Sequence, residues 1–302
     1  MAETALKTRF GFIAVIGAPN AGKSTLVNAL VGSKVSIVSR KVQTTRMPIR
    51  GIAIQGASQL VLIDTPGIFA PRRRLDRAMV EAAWGGAGDA DIVVVLIDAA
   101  KGLDEDTDRI LGKLEHAKAP LVLALNKIDR VKKERLLDLA RQLNERIAFT
   151  RTFMISALSG DGVADLKSYL GGAVAPGPWH YPEDEISDTP LRLLAAEITR
   201  EKLYDRLHEE LPYEATVETT DWKEQKGAVR IEQTIFVERE SQKAIVVGHG
   251  GQMIKQLSME ARKELAEIME KPVHLFLFVK VREGWGNDPE RYRELGLTFP
   301  KD

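Results

Sequence analysis

The sequence contains no cysteine in 302 residues, which excludes disulfides and thiolate metal sites. It has no apolar run near the roughly 20 residues that a membrane-spanning helix needs. Its first ten residues, MAETALKTRF, lack the apolar stretch of a secretory signal. A cytoplasmic protein is the expectation. Net charge is also absent overall, with 43 Lys+Arg against 43 Asp+Glu, but the balance is uneven along the chain. Residues 1–180 hold 25 basic and 18 acidic side chains, and the rest reverses those numbers. The remaining composition, 44% apolar and 28% charged, is that of an ordinary soluble globular protein, and the length suits two domains.

What is present divides into two patterns. In the first half, short apolar runs alternate with amphipathic stretches. Strands are expected at 12–16, 49–54, 60–63, 92–97, 120–125 and 153–155, with helices at 23–31, 75–87, 106–116, 133–147 and 163–170. Such alternation gives an α/β fold with a mostly parallel sheet covered on both faces. Residues 175–190, APGPWHYPEDEISDTP, are rich in proline and acid and read as a linker. Beyond them the expected order is helix (191–211), strand (213–220), strand (229–237), two helices around a glycine cluster, and strand (273–281), an α+β arrangement. The expected domains are 1–175, a linker at 176–190, 191–285, and a tail at 286–302.

Gly17, Ala18, Pro19, Asn20, Ala21, Gly22, Lys23 and Ser24 match GxxxxGK[ST], between an apolar strand and a helix. Average residue usage produces that pattern about once in a hundred chains of this length. The glycines let backbone N–H groups turn inward onto phosphate oxygens, and the helix start adds partial positive charge. Lys23 can reach the outer phosphates, Ser24 can ligate Mg²⁺, and Thr25 completes the phosphate set. Asp64, Thr65, Pro66, Gly67 and Ile68 close the strand at 60–63, where a carboxylate would approach the cation. Between these motifs lie Gln43, Thr44, Thr45, Arg46 and Met47. A threonine here can ligate Mg²⁺ when a third phosphate is present, and Thr45 is preferred to Thr44. The expected cation ligands are therefore Ser24, Thr45 and, through water, Asp64.

The base is read by Asn126, Lys127, Ile128 and Asp129. A carboxylate at 129 accepts from both N1–H and the 2-amino group of guanine, and adenine would leave it unpaired. Ser156, Ala157 and Leu158 follow the next strand and offer a backbone N–H to the guanine oxygen. The position where many relatives of this fold place a water-orienting glutamine is Ile68, which can do no such thing. No catalytic side chain is assigned. Slow intrinsic hydrolysis is expected, raised by a potassium ion near Asn20 or by a partner.

In the second half, Gly248, His249, Gly250 and Gly251 form GxxG between two helices, which lets a nucleic-acid backbone approach. Lys243, Lys255, Arg262 and Lys263 supply nearby positive charge. The inner pair His-Gly and the acidic balance of this half point to modest phosphate contact and a shallow salt dependence. Arg72, Arg73 and Arg74 read as solvated surface. Trp179, Trp222 and Trp285 read as packing residues, and 283–302 as a polar tail.

With GAPNAGKS, QTTR, DTPG, NKID, VVGHGGQMIK, ARKEL and PVHLFLFVKV in this order, the chain from about residue 10 to 295 resembles the bacterial Era GTPases. The resemblance implies a P-loop GTPase domain joined to a type II KH domain that binds 16S ribosomal RNA near its 3′ end during 30S subunit assembly. It also implies GTP/GDP with Mg²⁺, a monomer, and loose association with the inner membrane. An RNA-binding scaffold with a merely structural nucleotide site, a tRNA-modification or tandem GTPase, and an ATPase of similar fold are the competing readings.

Overall fold

A computed structural model describes residues 8–208 and 210–300. The ends of the expected outer domains, and residue 209 within the helix expected at 191–211, lie outside the described residues. Contacts divide the chain into two units. The first comprises the chain to Ser36, Thr45–Asp188, and the segment from Gly296. The second comprises Ile37–Thr44 and Thr189–Leu295.

The first unit is built on one sheet. Its strands are β1 (Arg9–Ile16), β2 (Ile49–Gln55), β3 (Ser58–Asp64), β4 (Ile92–Asp98), β5 (Leu121–Asn126), β6 (Arg151–Met154) and the short β7 (Ala175–Pro176). Their order is β2-β3-β1-β4-β5-β6, with β7 beside β1. The β1, β3, β4, β5 and β6 pairings are parallel, while β2 and β7 pair antiparallel. Alternation along each strand splits the core. Ile13 and Val15 join a cluster with Leu26, Val27 and Leu30 of α1 (Lys23–Val31) and Leu166 and Leu170 of α5 (Val163–Ala173). Ala14 and Ile16 face the opposite side. There they meet Ala83 of α2 (Arg74–Gly88), Ile110 and Leu111 of α3 (Glu105–Leu114), and Leu143 of α4 (Lys133–Arg146). Truncating one such fully buried Leu or Ile to Ala costs about 2–5 kcal/mol. Because β1, β3, β4 and β5 run parallel, their C-terminal ends bring Ile16, Asp64, Asp98 and Asn126 to one edge, where such sheets bind ligands.

Residues 177–188 pack on the first unit. Trp179 Nε1 donates to Ala57 O at 3.1 Å, and the buried Gln59 accepts from the His180 and Tyr181 N–H groups. His180 also stacks on Phe10, with centroids 3.8 Å apart.

The second unit carries α6 (Leu191–Arg206), β8 (Ala215–Gln225), β9 (Ala228–Val237), α7 (Glu240–Val247), α8 (Gln252–Met269), β10 (Val273–Val281) and α9 (Pro289–Glu294). The sheet order is β10-β9-β8, with β10 parallel and β8 antiparallel to β9. The helix expected to reach 211 ends at Arg206, and a 3₁₀ turn at Leu211–Glu214 precedes β8. Val229 and Ile231 of β9 pack with Ala195 and Ile198 of α6 and Ala261 and Leu265 of α8, and Ile235 with Ala196 of α6 and Leu257 of α8. The stretch read as a polar tail is partly structured: Trp285 is buried and donates to Glu214 O at 2.9 Å, and α9 buries Tyr292. Two buried aromatics spaced seven residues apart among many charges are too few for a periodic signal, which is why the sequence pattern hid them.

Candidate functional site: a nucleotide pocket and a glycine loop

β1 delivers the chain into residues 17–22, and α1 starts at Lys23. This loop is crowded. A Cβ on Gly17 would lie 2.3 Å from Leu96 O, and one on Gly22, whose φ is 102°, would lie 2.4 Å from Asn126 Nδ2. Asn20 also takes a positive φ of 62°, where short polar side chains are tolerated best after glycine. The loop is braced from β5. Asn126 Nδ2 donates to Ala21 O at 2.7 Å, and Lys127 Nζ donates to Asn20 O at 2.6 Å. Lys127 also pairs with Asp98 Oδ2 at 2.7 Å, so Asp98 at the end of β4 sets the angle of that brace. Sequence reasoning missed Asp98, whose only local signal is its place at the end of an apolar strand. Helix α1 has no side-chain cap, so its first N–H groups face the loop rather than a capping oxygen.

Lys23 is buried, and its Nζ donates to Gly17 O at 3.1 Å and Ala18 O at 3.0 Å. Burial lowers its pKa to about 8 against the opposing pull of Asp64. Asp64 is fully buried, and burial pushes its carboxyl up, offset in part by Ser24 and by the charge of Lys23. Ser24 Oγ lies 2.9 Å from Thr45 Oγ1, and Thr45 Oγ1 donates to Asp64 Oδ2 at 3.4 Å. Among the described residues Asp64 Oδ1 has no hydrogen-bond partner. Two hydroxyls and a carboxylate with an orphaned oxygen form an oxygen-only donor set, which fits Mg²⁺ together with phosphates and water. Thr44 is placed differently: its hydroxyl donates to Lys41 O at 2.8 Å. Arg46 and Met47 are buried, and Gln43 takes a φ of 57°.

Thr65 Oγ1 donates to Val15 O at 2.7 Å, and a Cβ on Gly67 would press on Pro19 at 2.9 Å. The Ile68 side chain is buried, and its N–H donates to Gly17 O at 3.1 Å. On the base side, Ala157 N donates to Asn126 Oδ1 at 2.9 Å, and Ile128 N to Ile155 O at 3.3 Å, which joins the two base-reading loops. Ser156 is buried and Leu158 exposed. Asp129 sits on a single 3₁₀ turn, its side chain 42% exposed and 3.8 Å from Arg130 Nε. The carboxylate is thus accessible and held by one weak surface pair.

In the second unit, Gly248, Gly250 and Gly251 all take positive φ (74°, 57° and 76°) between α7 and α8, with His249 inside the turn. Lys243 pairs with Glu240 at 3.5 Å. Lys255 is exposed on the first turn of α8. Arg262 and Lys263 are exposed but lie well along the helix, roughly 15 Å from its start at 1.5 Å per residue. They do not sit beside the loop. Lys255 and Arg262 instead mark one helical stripe with Met259 between them, itself 53% exposed. Ile245 on α7 is also 54% exposed, an apolar side chain near the loop that charge-based reading passed over.

A family model described as 50S ribosome-binding GTPase matches residues 12–127, and a KH domain model matches 210–286. The GTPase Era of Afipia carboxidovorans is 66% identical over 301 residues, covering 99% of this chain and 98% of that protein. The GTPase Era of Brucella suis is 65% identical over 297 residues, covering 98% and 96%. Among solved structures, Era in complex with MgGDPNP and nucleotides 1506–1542 of 16S ribosomal RNA aligns with a TM-score of 0.91 at 36% identity, covering 96% of this chain and 99% of that one. A single-residue variant of Aquifex aeolicus Era bound to GDP·AlF4⁻ aligns with the same score, identity and coverage. Identity of this order along nearly the full length of both chains, over a phosphate loop and a glycine loop set as described, means that the chain belongs to the Era family of GTPases.

Proposed function

We propose that this GTPase hydrolyses GTP to GDP and phosphate with Mg²⁺, and uses the cycle to gate a KH domain that binds 16S ribosomal RNA near its 3′ end during 30S subunit assembly. The convergence of Ser24 Oγ, Thr45 Oγ1 and the orphaned Asp64 oxygen beside Lys23 carries the nucleotide half of the reading. The RNA half draws on the glycine loop and on the relative solved with a 16S fragment.

Lys23 would neutralise the outer phosphates, and Ser24, Thr45 and Asp64 would hold Mg²⁺, which supplies charge neutralisation to phosphoryl transfer. Asp129 would read guanine, while Asn126 and Lys127 keep the phosphate loop and the base loops in register. Ile68 is buried and apolar, so intrinsic hydrolysis is slow, and a potassium ion near Asn20 or the ribosomal partner raises it. Asn20→Ala should abolish a potassium effect on turnover; an unchanged response to potassium removes that part. A monomeric state, a cytoplasmic location and peripheral association with the inner membrane belong to the same reading through the family alone. In the described residues no helix is long and apolar enough to cross a membrane.

Calorimetry with GTP and ATP tests the core of this. The wild-type chain should bind GTP and reject ATP, and Asp129→Asn should cut that preference by about a hundredfold. Equal affinity for both purines in the wild type would overturn it. Crosslinking to total cellular RNA with GTP and with GDP tests the gating.

A further inference from the structure

The eight residues Ile37–Thr44 lie in sequence between the phosphate loop and DTPG, yet they cluster with the second unit. Their anchor there is α6. Ile37 is buried in a cluster with Ala195 and Ile198. Val38 N donates to Glu201 Oε1 at 2.8 Å, and Ser39 Oγ to Asp205 Oδ1 at 3.3 Å. Lys41 Nζ donates to Tyr204 O, and Tyr204 OH donates to Gln43 O at 3.4 Å. The last residue, Thr44, gives its carbonyl to Arg200 Nη2. Positions 197, 200, 201, 204 and 205 form one face of the helix, and that face serves this segment.

Arg200 is built for one geometry. It is 1% exposed, grips Glu197 with two donors (Nε to Oε1 at 2.8 Å, Nη2 to Oε2), and lies over the Tyr204 ring at 5.1 Å. Its Nη1 has no hydrogen-bond partner among the described residues. A buried ion pair with a donor left over is poor evidence for stability, because desolvation offsets most of its attraction; where such pairs are kept, fixing one conformation is their best-attested use. Here the fixed object is the Thr44 carbonyl. α6 is held in turn by α8 through Arg206 with Glu260 and Gln256, and Lys202 with Glu264.

We infer that Arg200 is a positioning residue for GTP turnover: paired with Glu197, it fixes the Thr44 carbonyl and so presents the next residue, Thr45, to the cation site. Thr45 follows Thr44 directly in the chain, and its hydroxyl meets Ser24 and Asp64. A planar guanidinium can hold a carboxylate and a carbonyl at once, which an ammonium does poorly. The inference rests on the reading of Thr45 as a cation ligand.

The full-length chain tests it, through affinities for GDP and for a non-hydrolysable GTP analogue with Mg²⁺, and single-turnover GTP hydrolysis. The paired replacement E197L/R200M removes the donor to Thr44 without leaving a lone buried charge. It should weaken the GTP analogue about tenfold, leave GDP affinity unchanged and slow turnover, as expected for losing one charge-assisted hydrogen bond. Thr45→Val should do the same, and adding T45V to the pair should cost no more than T45V alone. A merely structural role would lower Tm and leave the ratio of GTP to GDP affinity where it was. If T45V shifts that ratio and the folded pair does not, the inference is overturned and the Thr45 reading stands. If T45V itself has no effect, the cation-ligand reading fails and takes the inference with it. Should the pair not fold, Arg200→Lys keeps the charge beside Glu197 and decides by the same ratio: a fall supports the role of Arg200, no change overturns it.

Discussion

The loops at 17–22 and 248–251 each place a glycine at positive φ just before a helix, one (Gly22) in the first and three in the second, but their surroundings differ. A side chain on Gly22 would collide with Asn126 at 2.4 Å, and one on Gly248 with Met253 at 2.6 Å, whereas side chains on Gly250 and Gly251 would meet nothing within 4 Å among the described residues. The first loop is clamped by Asn126, Lys127 and Leu96 from outside it; the second is fixed at Gly248 but stands open at Gly250 and Gly251. A small anion needs many N–H groups fixed in advance, since it can contribute little ordering of its own. A polymer backbone brings many contacts and needs room to approach. The same residue type therefore relieves crowding in one loop and provides access in the other.

The largest expected effect breaks the crowded loop. Gly22→Ala combines an unfavourable φ with displacement of Asn126, and should cost about 2–3 kcal/mol of stability. Nucleotide affinity should fall at least about a hundredfold. Melting curves and calorimetry measure the two. If GTP binding survives, the clamp is not what shapes the pocket. In the open loop, Gly250→Ala has only its backbone conformation to oppose it, about 1 kcal/mol. It should leave GTP affinity alone and lower RNA affinity about tenfold in a filter-binding assay, because the added methyl occupies the approach. Equal loss of both activities would erase the contrast.

A smaller effect distinguishes the pocket by pH. The pKa of Lys23 is lowered to about 8, below its ordinary 10.5, chiefly by burial. Between those values the unfolded chain binds more protons than the folded one, so the nucleotide-free protein should gain stability as pH rises from about 8 towards 10.5. Phosphates restore the charged form, so nucleotide binding at about pH 8.5 should take up a proton. Calorimetry in two buffers of different ionisation enthalpy reads this directly, and Lys23→Met should abolish it. The smallest effect concerns the open loop. Lys255→Ala should reduce the slope of log affinity for RNA against log salt by about one, from a slope already shallow in this acidic half. An unchanged slope would place the phosphate contacts elsewhere.

What the sequence discloses follows from how local each signal is. The strands that carry Ile16, Asp64 and Asn126 are apolar runs of the right length, and each ends at its motif, so both the sheet and the pocket can be read from adjacent residues. Sequence prefers Thr45 to its neighbour Thr44, and three-dimensional placement supplies the reason: the Thr44 hydroxyl turns to Lys41 O and the Thr45 hydroxyl to Ser24. Asp98 acts on the phosphate loop through Lys127, 29 residues away, with no motif of its own. The attachment of Ile37–Thr44 to α6 spans over 150 residues of chain, and the buried run Ala195 to Glu201 hides it further, since charged residues there mimic an exposed face. Composition also misplaces the end of the chain, where Trp285, Tyr292 and a buried Arg291 paired with Glu218 seat a short helix.

The chain leaves its first unit after Ser36 and rejoins it at Thr45. Protease nicking of the backbone near Thr189 would therefore yield two fragments that still share one core, with Ile37 of the N-terminal piece seated beside Ala195 and Ile198 of the C-terminal one. They would co-elute from a sizing column and part only in denaturant, and an N-terminal fragment expressed alone would bare that isoleucine to water.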